Sequence, residues 1–88
     1  MKYFEWDEDK NKKLIKERGI SFEICMEYIN LGQVLKIVNN HSSYEHQQVF
    51  LINIENYIYR VPYVEDDEKF FLKTIYPCSA DTKKYLNK

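Results

Sequence analysis

Two cations, Arg60 and Lys73, sit in β-rich segments that the turn signals of this chain bring side by side. Gln48–Ile54 and Tyr57–Val64 alternate with β-branched and aromatic residues, and only Glu55-Asn56 separates them, the length of a tight hairpin. Glu65–Glu68 then leads into a further strand, Lys69–Tyr76. Registering both hairpins by their turn lengths puts Ile52, Tyr59 and Thr74 in one row and Phe50, Val61 and Leu72 in the next. Arg60 and Lys73 then come out directly opposite each other. Like charges so placed repel, and a cross-strand pair contributes only ~0.2–1 kcal/mol even when favourable. Their expected neighbours, Leu51, Ile58 and Ile75, are apolar. An anion between the two cations resolves the repulsion: a phosphate takes a bidentate bond from Arg60 and a point charge from Lys73. The other resolution sends both side chains past their apolar neighbours to water, or to the acidic groups of a partner.

The loop before these strands adds groups able to act on a phosphodiester. His41 and His46 lie in Asn40-His41-Ser42-Ser43-Tyr44-Glu45-His46. An imidazole there can withdraw a 2′-hydroxyl proton or protonate the leaving oxygen near neutral pH, and Tyr44 can stack on a base. The same residues equally suit a solvated polar loop. Neither Cys25 nor Cys78 follows a metal-ligand spacing, and no third and fourth ligand lies near the histidines. The four carboxylates Glu65–Glu68 suit an exposed turn. No metal or cofactor is called for.

The elements that must position these groups start at the N-terminus. Asp7 is a good N-cap, and Glu8 and Asp9 put negative charge in the first turn. The spacing predicts a helix from Glu8 to Arg18, stopped by Gly19 in the left-handed conformation. Trp6 and Phe4 anchor its start. Ser21 caps a second helix, Ile20 and Cys25 have the spacing of a hydrophobic staple, and Gly32 closes it. Phe22, Cys25, Met26 and Ile29 form its buried stripe. Val34–Val38 is a short strand ahead of the polar loop, and Pro77 ends the last one. Thr82–Leu86 is either a short terminal helix or an extended tail. The expected architecture is α+β, with two N-terminal helices packed on one face of a four-stranded antiparallel sheet. Phe50, Ile52, Tyr59, Val61, Tyr63, Phe70 and Leu72 lie beneath the helices, and the face with Arg60 and Lys73 is open.

Composition sets the bounds. The 88 residues make one domain with a thin core, burying about 60–65% of the unfolded surface. Eight Tyr, five Phe and one Trp are an efficient filling for such a core. The net charge of −1 offers nucleic acid no overall attraction, so any binding needs a local basic patch. Without an apolar leader or a membrane-length apolar run, the two cysteines read as reduced thiols of a cytoplasmic protein.

The stretch Phe4-Glu5-Trp6-Asp7…Lys10…Gly19-Ile20-Ser21-Phe22-Glu23 resembles the signature of the BrnT family, small RelE-like bacterial toxins. There an aromatic-Asp-x-x-Lys helix is followed by His-Gly-Val-x-Phe-Glu. Arg18 stands here where that His is usual. Tyr57–Tyr63, Phe71-Leu72-Lys73-Thr74-Ile75 and Thr82-Lys83-Lys84-Tyr85-Leu86 continue the likeness. The resemblance implies a RelE-like fold and a metal-independent endoribonuclease that cleaves mRNA and inhibits translation. It also implies a cognate antitoxin, and leaves a homodimer or a toxin–antitoxin heterotetramer open. The family's Ser/Ala-Arg-Lys-Ala-Thr segment is Cys78-Ser79-Ala80-Asp81-Thr82 in this chain. The Arg-Lys pair is gone, Asp81 adds a negative charge, and Lys83, Lys84 or Arg60 is left to supply the phosphate contacts. The second reading is a catalytically degenerate RelE-like module that keeps the fold and a protein partner.

Overall fold

The computed structural model describes residues 2–39 and 47–87. Its elements run β1 (Tyr3–Trp6), α1 (Glu8–Arg18), α2 (Phe22–Asn30), β2 (Val34–Asn39), β3 (Gln47–Ile54), β4 (Tyr57–Glu65), β5 (Lys69–Leu72), β6 (Tyr76–Pro77) and α3 (Ser79–Leu86). The strands form one sheet in the order β1-β5-β4-β3-β2, with β6 also paired to β4.

Local chemistry sets the N-terminal third. Asp7 accepts the backbone N–H groups of Asp9 and Lys10 and so starts α1; Gly19 ends it at φ 67°, a conformation open to glycine at no steric cost. Ser21 accepts the N–H of Ile24 and starts α2. Between the helices stands Asn11, which is 2% exposed. Its carbonyl oxygen accepts the Phe22 N–H at 2.8 Å, and its amide donates to the Glu23 carboxylate at 2.7 Å. The Trp6 ring stacks on Phe22 at 5.7 Å. The residues of the N-terminal signature are thus a joint that fixes β1, α1 and α2 together.

The sheet departs from the expected four antiparallel strands in three ways. First, β1 pairs in parallel with β5, so the sheet is mixed. Four residues are too few to show a period, yet Phe4 stacks on Phe70 at 5.3 Å and supplies the strand's hold on the core. Second, the expected strand Lys69–Tyr76 is broken. β5 pairs Tyr63 with Leu72, whereas β6 pairs Arg60 with Tyr76, a slip of one residue between them. The slip turns Ile75, expected on the far face, into the helix-side core. Third, α3 covers the sheet face expected to be open. The architecture is three-layered, with α1 and α2 on one side and α3 on the other.

The larger core lies under α1 and α2 and contains Leu14, Ile20, Phe22, Cys25, Phe50, Ile52, Ile54, Val61, Tyr63, Leu72 and Ile75. Phe50 and Tyr63 stack at 4.0 Å, and Phe70 meets both edge-on. Val49, Leu51 and Ile58 form a smaller core on the other face, beneath Tyr85 and Leu86 of α3. Thr82, buried in α3, accepts the Ile58 N–H at 2.9 Å and donates to the Cys78 carbonyl at 2.8 Å. The helix therefore completes a hydrogen bond of β4 as well as covering its side chains. Neither cysteine is in a disulfide. No helix among the described residues is long and apolar enough to cross a membrane.

Two outcomes follow. Asn11→Ala strips the buried Phe22 N–H of its acceptor and is expected to cost about 1–3 kcal/mol in urea unfolding; an unchanged midpoint would mean that water replaces the side chain. Burial pushes the Cys25 thiol from 9.0 to about 12. The native protein holds this proton where the unfolded chain releases it, so the thiol's contribution is complete below pH 9.0 and declines as pH rises toward 12. Wild type should lose up to about 1.4 kcal/mol per pH unit more than Cys25→Ala in that window, as read from urea midpoints.

Candidate nucleic-acid interface

The register begins with a side chain. Asp66 accepts the N–H groups of Glu68 at 2.8 Å and Lys69 at 2.9 Å, which draws its carboxyl pKa down. Its own N–H donates to the Lys69 carbonyl at 3.0 Å. This Asx turn holds Glu65 in the strand, opposite Phe70. The β4–β5 turn thus starts one residue later than the even division of Glu65–Glu68 suggests. Each β4–β5 pairing moves by two positions, and the slip before β6 makes it three there.

The expected opposition of Arg60 and Lys73 is overturned by that shift. Lys73 donates its backbone N–H to Pro62 at 2.8 Å, and Arg60 lies opposite Tyr76. A shift of two keeps side chains on the same face, so both cations still belong to the face carrying Leu51 and Ile58. Lys73 is exposed, with Nζ 5.2 Å from the centre of the Phe71 ring. Arg60 is not free. Its Nε stands 2.8 Å from Oδ2 of Asp81, with the two side chains 31% and 15% exposed. Both atoms are shut off from solvent, and the N–H is not aligned on the oxygen, so the contact is a close ion pair without a well-formed hydrogen bond. Burial works to lower the guanidinium pKa, but Asp81 and the neighbouring Tyr76 hydroxyl outweigh it and raise the pKa overall.

Lys83 and Lys84 are exposed on α3, with Lys84 Nζ 5.4 Å from the centre of the Tyr85 ring. His41, Tyr44 and His46 lie outside the described residues. Two further cations escaped the reading of the sequence. Lys36 pairs opposite Leu51 and so points to this face. Lys69 lies opposite Tyr3 beside β1, with Nζ 3.6 Å from Glu5, whose charge is the main cause of its raised pKa. Strand alternation was the available signal for both, since Lys69 lies four residues before Lys73 in the expected strand; only its contact with Glu5 needed knowledge of β1. Among the described residues, the sheet face and α3 together present Lys36, Arg60, Lys69, Lys73, Lys83 and Lys84. Against them stand Glu5 and Asp81, each paired with one of those cations. A chain of net charge −1 thus carries a locally basic surface on this side, where cations outnumber carboxylates. On the other side the five cations of α1 stand among as many carboxylates of α1 and α2.

The opposite side has a different character. A cavity of about 320 Å³ opens between α2 and the tip of the β3–β4 hairpin, lined by Ile24, Glu27, Tyr28, Glu55 and Tyr59 together with Arg18. The Arg18 guanidinium donates to the Ile75 carbonyl, so this side chain fastens α1 to the slipped segment between β5 and β6. Comparison of the chain with family models, with curated proteins and with solved structures gives no match.

Arg60→Ala leaves the Asp81 carboxylate, itself largely buried, without a partner. The expected cost is about 1–3 kcal/mol in urea unfolding, kept modest by the partial exposure of the guanidinium. Arg60→Ala/Asp81→Ala should recover part of it; a double variant no more stable than the single would show that the carboxylate needs no partner.

Proposed function

We propose that this chain is a RelE-like toxin of the BrnT type, a metal-independent endoribonuclease that acts on mRNA and is neutralised by a cognate antitoxin. The observation that carries this reading is the basic face of the sheet and α3, since RNA affinity depends first on lysine and arginine contacts to phosphate. Lys73, Lys83 and Lys84 are free to meet successive phosphates, and Lys36 extends the surface along β2. His41 or His46 would move the protons of 2′-hydroxyl attack, and Tyr44 would stack on a base. Both are roles inferred from residue type. An antitoxin would neutralise such a surface most simply by laying an acidic segment across it.

A second reading, a protein-interaction module without catalysis, draws on a different observation. β2 is an edge strand with Leu35 46% and Ile37 49% exposed. Such an edge can accept a further strand. The other edge, β1, is shorter and carries Glu5.

Expression of the chain alone in a bacterial host separates the two. The toxin reading expects growth arrest with loss of mRNA, relieved by Lys73→Ala/Lys83→Ala/Lys84→Ala. In vitro, that variant should bind single-stranded RNA more weakly, with a salt dependence shallower by about 2 in the slope of log K against log salt. Unimpaired growth at high soluble expression, with RNA binding indifferent to the three lysines, would leave only the interaction module.

A further inference from the structure

We infer that Asp81 is an internal stand-in for an RNA phosphate: it occupies Arg60 in the resting protein and must yield before that guanidinium can bind RNA. The inference rests on the basic face being an RNA surface and names a regulated contact within it.

Three observations carry it. Arg60 is the one arginine on the basic face, and the fork of a guanidinium matches phosphate better than an ammonium does. Its charge is held by a carboxylate from α3, a separate element that reaches over the sheet. The pairing is also poorly formed: Nε and Oδ2 are 2.8 Å apart without an aligned N–H, and no other described group bonds to either atom. A phosphate offers more oxygens over a wider range of directions, so it can satisfy the same donor with better geometry.

Asp81 is the lightly held part of the cover, since its Oδ2 accepts no well-formed hydrogen bond. α3 has eight residues, and Cys78 at its N-cap supplies no side-chain hydrogen bond to the first turn. A helix that short has little stability of its own, so its docking depends on Thr82, Tyr85, Leu86 and the Arg60–Asp81 pair. The bonds of α3 to β4 run through Cys78 and Thr82, so withdrawing the Asp81 side chain breaks none of them. The exchange swaps one anion for another at Arg60 and leaves Lys83 and Lys84 on the exposed side of the same helix, where they would follow the incoming strand.

The test is equilibrium binding of a fluorescently labelled single-stranded RNA oligonucleotide, followed by anisotropy over a range of salt. Wild type is compared with Asp81→Asn, Arg60→Ala, Arg60→Ala/Asp81→Asn and Lys73→Ala. Asp81→Asn is expected to bind about tenfold more tightly, with a salt slope steeper by about 0.7, the signature of one more phosphate contact. In the Arg60→Ala background the same substitution should change affinity by less than about twofold. Should Asp81→Asn undock α3, Lys83 and Lys84 move with it, and the dependence of the affinity change on Arg60, read by comparing the two backgrounds, decides the proposal. A gain of equal size with and without Arg60 would mean that Asp81 acts only through general repulsion, and the stand-in role fails. If Lys73→Ala weakens binding while Asp81→Asn leaves it unchanged, the masking fails and the RNA surface stands. If neither substitution moves binding, the RNA surface itself is wrong and the masking goes with it.

Discussion

Asp66 starts the β4–β5 turn by holding the N–H groups of Glu68 and Lys69 on one carboxylate oxygen, and the placement of the later residues follows from that start. Because Glu65 stays in the strand, Tyr63 meets Leu72 and Lys73 meets Pro62. The slip after Leu72 then sends Ile75 inward and sets Tyr76 against Arg60. β6 carries the chain to Cys78, whose N–H donates to the Ile58 carbonyl, and α3 begins one residue later. A turn formed one residue earlier would move each of these contacts and leave Asp81 without Arg60 beneath it. The pair at the centre of the basic face is therefore a distant consequence of a local hydrogen-bonding preference of aspartate.

What could be read in the sequence divides along the same line between local and distant. α1 begins and ends where Asp7 and Gly19 say it should, because both signals act within a turn of the residues they govern. The β3–β4 hairpin is equally local. Glu55 and Asn56 take φ of 52° and 66°, the two left-handed positions that a two-residue turn requires, and Asn53 accepts the Asn56 N–H to secure it. The helix-side face was also legible, since alternation survives a register error of two. β1 was not, because its partner lies more than sixty residues away and the rings of Phe4 and Trp6 look the same whether they anchor a helix or line a strand. Asp81 read as a loss of positive charge from the family pattern. That it reaches Arg60 depends on the slip, which no periodicity encodes.

The N-terminal signature carries the resemblance, yet its residues are occupied with folding. Asp7, Asn11, Gly19 and Ser21 cap or join helices, and Trp6 and Phe22 stack on each other. Such residues specify how β1, α1 and α2 assemble, whatever chemistry the chain performs. The chemistry proposed for this protein draws on residues elsewhere, on a face that the joint meets only at Glu5, beside Lys69. Fold and activity can therefore part company here, because substitution on the basic face leaves the joint intact.

The net charge of the chain is a poor guide to that face. Charges farther apart than the Debye length, about 8 Å in physiological salt, barely feel each other through water. The molecule extends 27 Å along its shortest axis, and the sheet lies between its two charged sides. An RNA strand at α3 would meet Lys73, Lys83 and Lys84 within reach and the carboxylates of α1 and α2 only through several screening lengths. Those distant carboxylates lower the chain's overall charge without cancelling the local field, and on their own side they are balanced by Lys10, Lys12, Lys13, Lys16 and Arg18 of α1. A small, nearly neutral protein can thus carry a strong local basic field, and on such a surface the carboxylate that matters most is the one inside it, at Asp81.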